Sequence, residues 1–137
     1  MDDREKDYIK LRIGLALWRL LEERKAIGAR NRQEGIRDSR LVNSYLKLER
    51  ASGLPKATLI GIFQGRINAA SSSLWAIIEA LGANFTTFGK LVDGISEADL
   101  AGYQDVLKKN RQAQQQKAKK AVFNKKKVSK KPIKKRP

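Results

Sequence analysis

The side chains of this sequence with the clearest chemical potential are lysines and arginines, and they cluster at the C-terminal end. The last 30 of the 137 residues contain 14 Lys or Arg and no Asp or Glu, so they hold +14 of the formal net charge of +16. Like charges repel, and little apolar surface is available here to bury. Residues 108–137, which we call the basic tail, are therefore predicted to be disordered or partly helical.

The chemistry of the basic tail is that of polyanion binding. Each Lys or Arg placed on a nucleic acid phosphate releases condensed counterions, which makes DNA the first partner to expect. An anionic membrane surface is a second interpretation, and a solubilising tail with no dedicated partner is a third. If DNA is bound, the cations expected to make non-specific contacts are Lys125, Lys126, Lys127, Lys130, Lys131, Lys134, Lys135 and Arg136.

The residue types that are missing narrow the possible functions. The chain contains no His and no Cys. This excludes disulfides, thiolate nucleophiles, imidazole general bases and nearly all zinc and haem sites. The carboxylates are scattered over predicted helix starts and polar faces, with no evident inward-pointing pair. We therefore expect neither an enzyme nor a metal or other cofactor.

The remaining residues, 1–107, suffice for one small domain. They are almost balanced in charge, with 16 basic and 14 acidic side chains, but the balance is uneven along the chain. Residues 24–66 carry 10 basic and 3 acidic side chains, whereas residues 67–107 carry one lysine against five acids. The middle segment is thus predicted to form a basic face, with the acidic segment pointing away from a polyanion.

Two further features bear on location. No apolar run approaches the ~20 residues that a membrane-spanning helix needs. The N-terminus begins with acidic residues, unlike a signal peptide. We expect an intracellular protein.

The apolar spacing predicts helices throughout the first half of the chain. An amphipathic helix is predicted over residues 7–25, ended by Gly28, with a polar loop over residues 29–37. Asp38 or Ser39 is predicted to cap a second helix, which stops at Gly53.

The later elements are also predicted to be helical. Pro55 is expected in the first turn of a third helix that ends at Gly65. Serines 71–73 offer caps for a fourth helix, and Thr86 or Thr87 for a short fifth. Ser96 with Asp99 matches a capping box that would start a sixth. No segment alternates with a period of two, so the expected fold is an all-α bundle of about five or six helices.

Two of these helices match a helix-turn-helix pattern, because a short glycine-containing turn separates them and the second opens on a basic residue. The pattern lies in LKLERASGLPKATLIGIFQGRINAASSSLWAIIEALG, residues 46–82. Over residues 11–92 the sequence resembles the Cro/phage-repressor family of DNA-binding domains, also called XRE-like. The positions that match the family pattern are Ile13, Gly14, Leu17, Leu20 and the run Glu22-Glu23-Arg24 in the first helix, and Leu48, Gly53, Leu54, Leu59, Ile62, Gly65, Ser73, Leu74, Ile77, Ala80, Leu81 and Gly82.

The resemblance implies a transcriptional regulator that binds double-stranded DNA. Such repressors usually read paired half-sites, so it also implies a homodimer. It further implies a bacterial cytoplasmic location in association with the nucleoid.

A recognition helix enters the major groove by its N-terminal half, which assigns roles to residues of the third helix. Its outward positions are predicted to be Lys56, Ala57, Ile60 and Gly61. Lys56 would reach a guanine edge or a phosphate, and Ala57 a thymine methyl group. Thr58 would contact a base or a phosphate, or would hydrogen-bond within its own helix.

Further contacts are expected on either side of this helix. Gln64, Arg66 and Asn68 follow it and suit phosphate contacts. The resemblance adds Ser44 as a backbone contact at the entry of the preceding helix. The predicted loop contributes Arg30, Arg32, Arg37 and Arg40 as extra candidates for phosphates.

The groove-facing positions leave two other functions open. Ile60 and Gly61 offer few hydrogen-bonding groups for reading bases, as in an architectural or nucleoid-type DNA binder. A third interpretation is a protein-interaction module in which the helix bearing Ile60 docks a protein while the basic tail binds RNA or a membrane.

One departure from the family pattern involves two positions together. Members commonly join the first helix to the recognition helix by an Arg–Glu ion pair, where this chain has Leu21 and Phe63. Replacing a whole buried ion pair by packed apolar residues is often neutral or stabilising. The sequence therefore predicts that Leu21 and Phe63 touch.

Overall fold

The computed structural model describes residues 1–130, and the side chains of residues 1–121. Within this range the chain forms six helices and no strand, which confirms the all-α prediction. In chain order the helices are α1 (Asp3–Gln33), α2 (Tyr45–Ser52), α3 (Lys56–Phe63), α4 (Ser71–Ala80), α5 (Phe85–Asp93) and α6 (Glu97–Lys130). Residues 1–100 form one compact unit, and the chain from Ala101 belongs to a second.

Helix α1 begins earlier and ends later than the sequence predicts. Asp2 caps it by accepting the Glu5 N–H at 2.9 Å, while the Glu5 carboxylate accepts the Asp2 N–H at 3.0 Å. Gly28 does not end the helix. It lies buried beneath Asn43, whose side-chain amide occupies the space where a Cβ would be. The helix continues to Gln33 because the intervening Ala, Arg and Gln residues are good helix formers.

The loop between α1 and α2 therefore covers residues 34–44, and the predicted cap of α2 is wrong. Asp38 accepts the N–H of Arg40 at 3.0 Å, which closes a local turn. The cap is Ser44, whose hydroxyl accepts the Lys47 N–H at 3.2 Å. Leu41 is buried although it precedes the helix.

The core of residues 1–100 is mainly aliphatic and contains two buried aromatic rings, Phe63 and Phe88. α1 packs against α3 and α5, α2 packs against α3 and α4, and α4 packs against α5. The largest fully buried side chains are Leu17, Leu21, Leu48, Leu59, Ile62, Phe63, Ile77, Ile78 and Leu81. These side chains come from α1, α2, α3, α4 and the residue that follows α4, and their packing holds α2 and α3 in place.

Helices α1 and α3 approach each other so closely that only glycine fits at the crossing. A Cβ added to Gly14 would overlap the carbonyl oxygen of Phe63 and lie 2.9 Å from that of Ile62. On the other side, a Cβ on Gly65 would lie 2.7 Å from the Cα atom of Leu11. The crossing thus consists of backbone against backbone, which cannot move aside as a side chain can.

A second link joins α1 to the end of α5. The Arg12 guanidinium donates hydrogen bonds to the carbonyl oxygens of Val92, at 2.8 Å, and Asp93, at 3.3 Å. The last carbonyls of a helix lack partners within the helix and carry partial negative charge, so a cation stabilises them. Arg19 of α1 also forms a salt bridge of 3.3 Å with Asp99.

The starts of the last three helices differ in how well the sequence predicts them. α4 begins after Ala70 with no side-chain cap, and Asn84 rather than a threonine caps α5. The capping box at α6 is confirmed, because Ser96 and Asp99 exchange backbone-to-side-chain hydrogen bonds of 3.0 and 3.1 Å. The hydrogen bond from the Ser96 backbone holds the pKa of Asp99 below its ordinary value.

Helix α6 continues into the basic tail as far as Lys130. Its predicted apolar stripe is confirmed as buried, at Leu100, Tyr103 and Leu107. From Lys108 to Ala121 every side chain is exposed. Within residues 1–130, no helix is long and apolar enough to cross a membrane.

The helix crossing gives a first prediction. Gly14→Ala should lower the free energy of unfolding by about 1–3 kcal/mol, the usual range for forcing extra atoms into a packed site. Gly89→Ala is the matched control, because α5 leaves open space at that position. Alanine there should be neutral or stabilise by up to about 1 kcal/mol through helix propensity. Urea denaturation measures the unfolding free energy of both variants. Equal stabilities would contradict the close approach of α1 and α3 at Gly14.

Candidate nucleic-acid interface

The connection between α2 and α3 is a tight turn built on Gly53. Gly53 has a φ of 76°, in the left-handed region, and its N–H donates to the Glu49 carbonyl oxygen at 2.9 Å. The Leu54 N–H donates to the Ser52 hydroxyl at 3.2 Å. The Pro55 carbonyl oxygen accepts the Leu59 N–H at 3.0 Å, so α3 begins directly after the turn. Glycine as the stop of α2 and proline at the start of α3 are both confirmed.

Helix α3 is buried along its C-terminal half and exposed at its first turn. Leu59 and Phe63 are fully buried, whereas Lys56 and Ala57 are exposed. Thr58 and Ile60 are half-buried. The N-terminal turn of α3 is therefore the part of this helix that another molecule could reach.

Gly61 is not outward-facing, which corrects the prediction. It is buried under Ile67, whose side chain occupies the space where a Cβ at Gly61 would be. The chain after α3 folds back over this glycine, because the N–H groups of Arg66 and Ile67 both donate to its carbonyl oxygen, at 2.9 and 3.1 Å. Gly61 therefore serves packing and lies away from any groove-facing surface.

The predicted phosphate contacts after α3 lie on an ordered turn. Gly65 has a φ of 74° and follows the last helical residue and its cap. The Arg66 Nε atom donates to the Gln64 side-chain oxygen at 3.1 Å, which holds the exposed guanidinium next to the end of α3. Asn68 is exposed and Gln64 is half-buried.

The entry of α2 brings Ser44 and Lys47 to one place. Ser44 is half-buried and caps the helix, and Lys47 is exposed one turn later. Behind them the Tyr45 ring packs edge-on against Phe63, with 5.3 Å between ring centroids. Burial, with a smaller contribution from Glu22, raises the pKa of Tyr45. Lys47 is not among the contacts that the sequence predicts.

Leu21 and Phe63 are both fully buried, on helices that pack against each other. This agrees with an apolar pair at the two positions where the resembled family commonly has charges. A guanidinium and a carboxylate buried at these positions would have to pair with each other.

The basic tail is described only in part. The exposed cations of its first half are Lys108, Lys109, Arg111, Lys117, Lys119 and Lys120. For Lys125, Lys126, Lys127 and Lys130 the structure describes the backbone alone. Lys131, Lys134, Lys135 and Arg136 lie outside the described residues.

A search for metal sites and comparisons with known proteins found nothing further that bears on this surface. In the part of the chain that the structure describes, no group of three or more His, Cys, Asp or Glu residues could hold a metal ion. Comparison of the chain with protein-family models, curated proteins and solved structures gave no match in any of the three.

The two left-handed glycines around α3 give a second prediction. Gly53→Ala should cost about 1–2 kcal/mol of unfolding free energy from backbone strain alone, and Gly53→Asn less, because asparagine tolerates this conformation. Gly53 has no neighbour within 4 Å of an added Cβ, unlike Gly65. Gly65→Ala should therefore be the more destabilising alanine variant. Thermal unfolding ranks the three variants, and an alanine at Gly53 as costly as one at Gly65 would contradict the geometry.

Proposed function

We propose that this chain is a DNA-binding transcriptional regulator of the Cro/repressor helix-turn-helix type. In this proposal α2 and α3 form the helix-turn-helix and α3 is the recognition helix. The basic tail adds affinity for DNA of any sequence. The observation that carries the proposal is the exposed, cationic first turn of α3, set by a left-handed glycine turn against α2.

The exposure pattern of α3 supports this use. A recognition helix places its N-terminal residues against base edges and keeps its opposite face in the core. Lys56 and Ala57 are exposed in the first turn, while Leu59, Ile62 and Phe63 are buried. Lys56 would contact a guanine edge or a phosphate, and Ala57 a thymine methyl group.

Phosphate contacts would then hold the helix in register. Arg66 and Asn68 are exposed just after α3, and Ser44 and Lys47 lie at the entry of α2. In the sequence, one pair of these residues precedes the recognition helix and the other pair follows it. Phosphate contacts of this kind fix orientation without carrying sequence information.

The basic tail would act through charge alone. Residues 108–137 carry +14 without a single acid, and the described side chains up to Ala121 are all exposed. An array of cations raises the encounter rate and the local retention of a protein on DNA. It would thus add to both specific and non-specific binding.

A second candidate function is an architectural or nucleoid-type DNA binder. The composition of α3 favours it, because Lys56 and Thr58 are the only side chains of this helix that can hydrogen-bond to bases. Few base contacts mean weak sequence preference. Selection of bound fragments from a random genomic pool separates the two, since a regulator enriches a motif and an architectural protein does not.

The recognition-helix assignment gives a third prediction. Lys56→Ala and Arg66→Ala should each weaken DNA binding without unfolding the domain, because both side chains are exposed. Removing a cation that neutralises a phosphate should lower the log–log salt slope by roughly 0.9, and removing a side chain that reads a base should cost about 1–3 kcal/mol. Fluorescence anisotropy with a labelled duplex measures both effects.

Lys90→Ala is the matched control for these variants. Lys90 is an exposed lysine on α5, in the segment where acids predominate, so its removal should leave affinity unchanged. If Lys56→Ala and Arg66→Ala bind as tightly as Lys90→Ala, α3 is not the reading element.

Deletion of residues 108–137 gives a fourth prediction. The described part of this segment contributes no buried side chain, so thermal stability of the remainder should barely change. Affinity for any duplex should fall. With about 5–8 tail cations on phosphates, the salt slope should become shallower by roughly 4–7 units, at about 0.9 per contact. Titrations at several salt concentrations measure the slope.

The deletion also distinguishes the functions. Any sequence preference should survive, because flexible lysines carry none. An unchanged salt slope would mean that the basic tail does not engage DNA. A truncated protein without any DNA binding would instead favour the interaction module, in which α3 docks a protein and the tail binds RNA or a membrane.

A further inference from the structure

A cleft lies within residues 1–100, between the last turns of α1, the loop of residues 34–44 and the first turn of α2. Its volume is about 640 Å³. The lining side chains that matter for binding are Asn31, Arg32, Ile36, Arg37, Asn43 and Lys47. No residue of α3 lines it, whereas Ser44 and Lys47, which the proposed function places near phosphates, do.

Three cations in the cleft lack anionic partners. Arg32, Arg37 and Lys47 are exposed, and among residues 1–121 their side chains form no salt bridge and no hydrogen bond. The lining also contains one carboxylate, Asp38, which accepts the Arg40 N–H and keeps its charge, so three cations against one acid leave a formal net charge of +2. Three like charges around one concavity repel each other, so an anion bound there would relieve the repulsion.

The cleft also contains neutral groups suited to a phosphorylated ligand. Asn43 is held over Gly28, where a side chain of any size would displace it. The Asn31 backbone fixes the start of the loop by accepting the Ile36 N–H at 2.8 Å. Ile36 is half exposed, at 50%, and Leu41 is buried beside it. Cations, amides and a small apolar area thus share one concave surface.

We propose that this cleft binds a small molecule carrying a di- or triphosphate group. Its volume lies within the range of about 300–1,000 Å³ that is usual for ligand sites. Arginine guanidinium groups match phosphate oxygens in pairs, and a lysine adds a point charge. The amides of Asn31 and Asn43 would donate to the remaining oxygens, and Ile36 would contact an attached apolar group.

The probes for this site are inorganic triphosphate and ATP, added to the full chain at physiological salt. The side-chain amide NMR signals of Asn31 and Asn43 report the cleft directly. We expect saturable shifts of both signals with either probe. Tighter binding of ATP than of inorganic triphosphate would show that the Ile36 side contacts the nucleoside.

The variants Arg37→Gln and Lys47→Gln should each weaken this binding by roughly tenfold, since each removes a charge-assisted hydrogen bond. Arg30→Gln on α1 and Arg50→Gln on α2 are matched controls, because both residues are exposed and neither lines the cleft. The basic tail is intact in all four variants, so its own attraction for polyphosphate cancels in the comparison.

Each of three results would overturn the site. One is the absence of saturable shifts at Asn31 and Asn43 while tail signals still respond. Another is equal weakening by the cleft variants and the controls. A short DNA duplex that shifts the cleft signals where both polyphosphates fail would also overturn it, and would assign the cleft to the nucleic-acid backbone. DNA binding is tested with Lys56→Ala and Arg66→Ala, and neither residue lines the cleft, so either proposal can fail without the other.

Discussion

The fold depends on the backbone contact between α1 and the end of α3. Gly14 lies against the carbonyl oxygens of Ile62 and Phe63, and Gly65 lies against the backbone of Leu11. Because one glycine lies on α1 and the other follows α3, the two backbones approach more closely than side chains would allow. Leu17, Leu21 and Phe63 are fully buried in the helices that this approach brings together. Because the C-terminal half of α3 is fixed in this way, its first turn is left to face solvent.

Charge is divided between the folded part and the basic tail. Residues 1–107 carry a net +2 and the tail carries +14. Several arginines of the folded part have structural roles: Arg12 binds the end of α5, Arg19 pairs with Asp99, and Arg24 donates to the Gly82 carbonyl oxygen at 3.3 Å. The cations that the two proposals use lie at the end of α1, on α2, on α3 and the turn after it, in the loop of residues 34–44 and in the tail. In the proposed function, position comes from the domain and most of the electrostatic attraction from the tail.

The cleft owes its existence to the length of α1. If the helix had ended at Gly28, Arg32 would not project from a helix beside the loop. Because α1 continues to Gln33, the loop has to return along it before α2 begins, and this return encloses the concave surface. The same contact between Gly28 and Asn43 that lets the helix pass under the loop also positions an amide in the cleft.

The sequence by itself determined the features that arise from a few neighbouring residues. The all-α class, the glycine and proline around the α2–α3 turn, the glycine after α3 and the Ser96–Asp99 capping box all follow from local hydrogen bonding and φ preferences. The concentration of charge in residues 108–137 is likewise a property of composition. Tertiary structure decided the rest. The local sequence does not distinguish a glycine that ends a helix from a glycine that leaves space for a neighbouring side chain. Only the fold shows that Gly28 makes room for Asn43, that Gly61 is covered by Ile67, and that Arg32, Arg37 and Lys47 surround one cleft. In each case the partner is supplied by packing, which local sequence preferences do not encode.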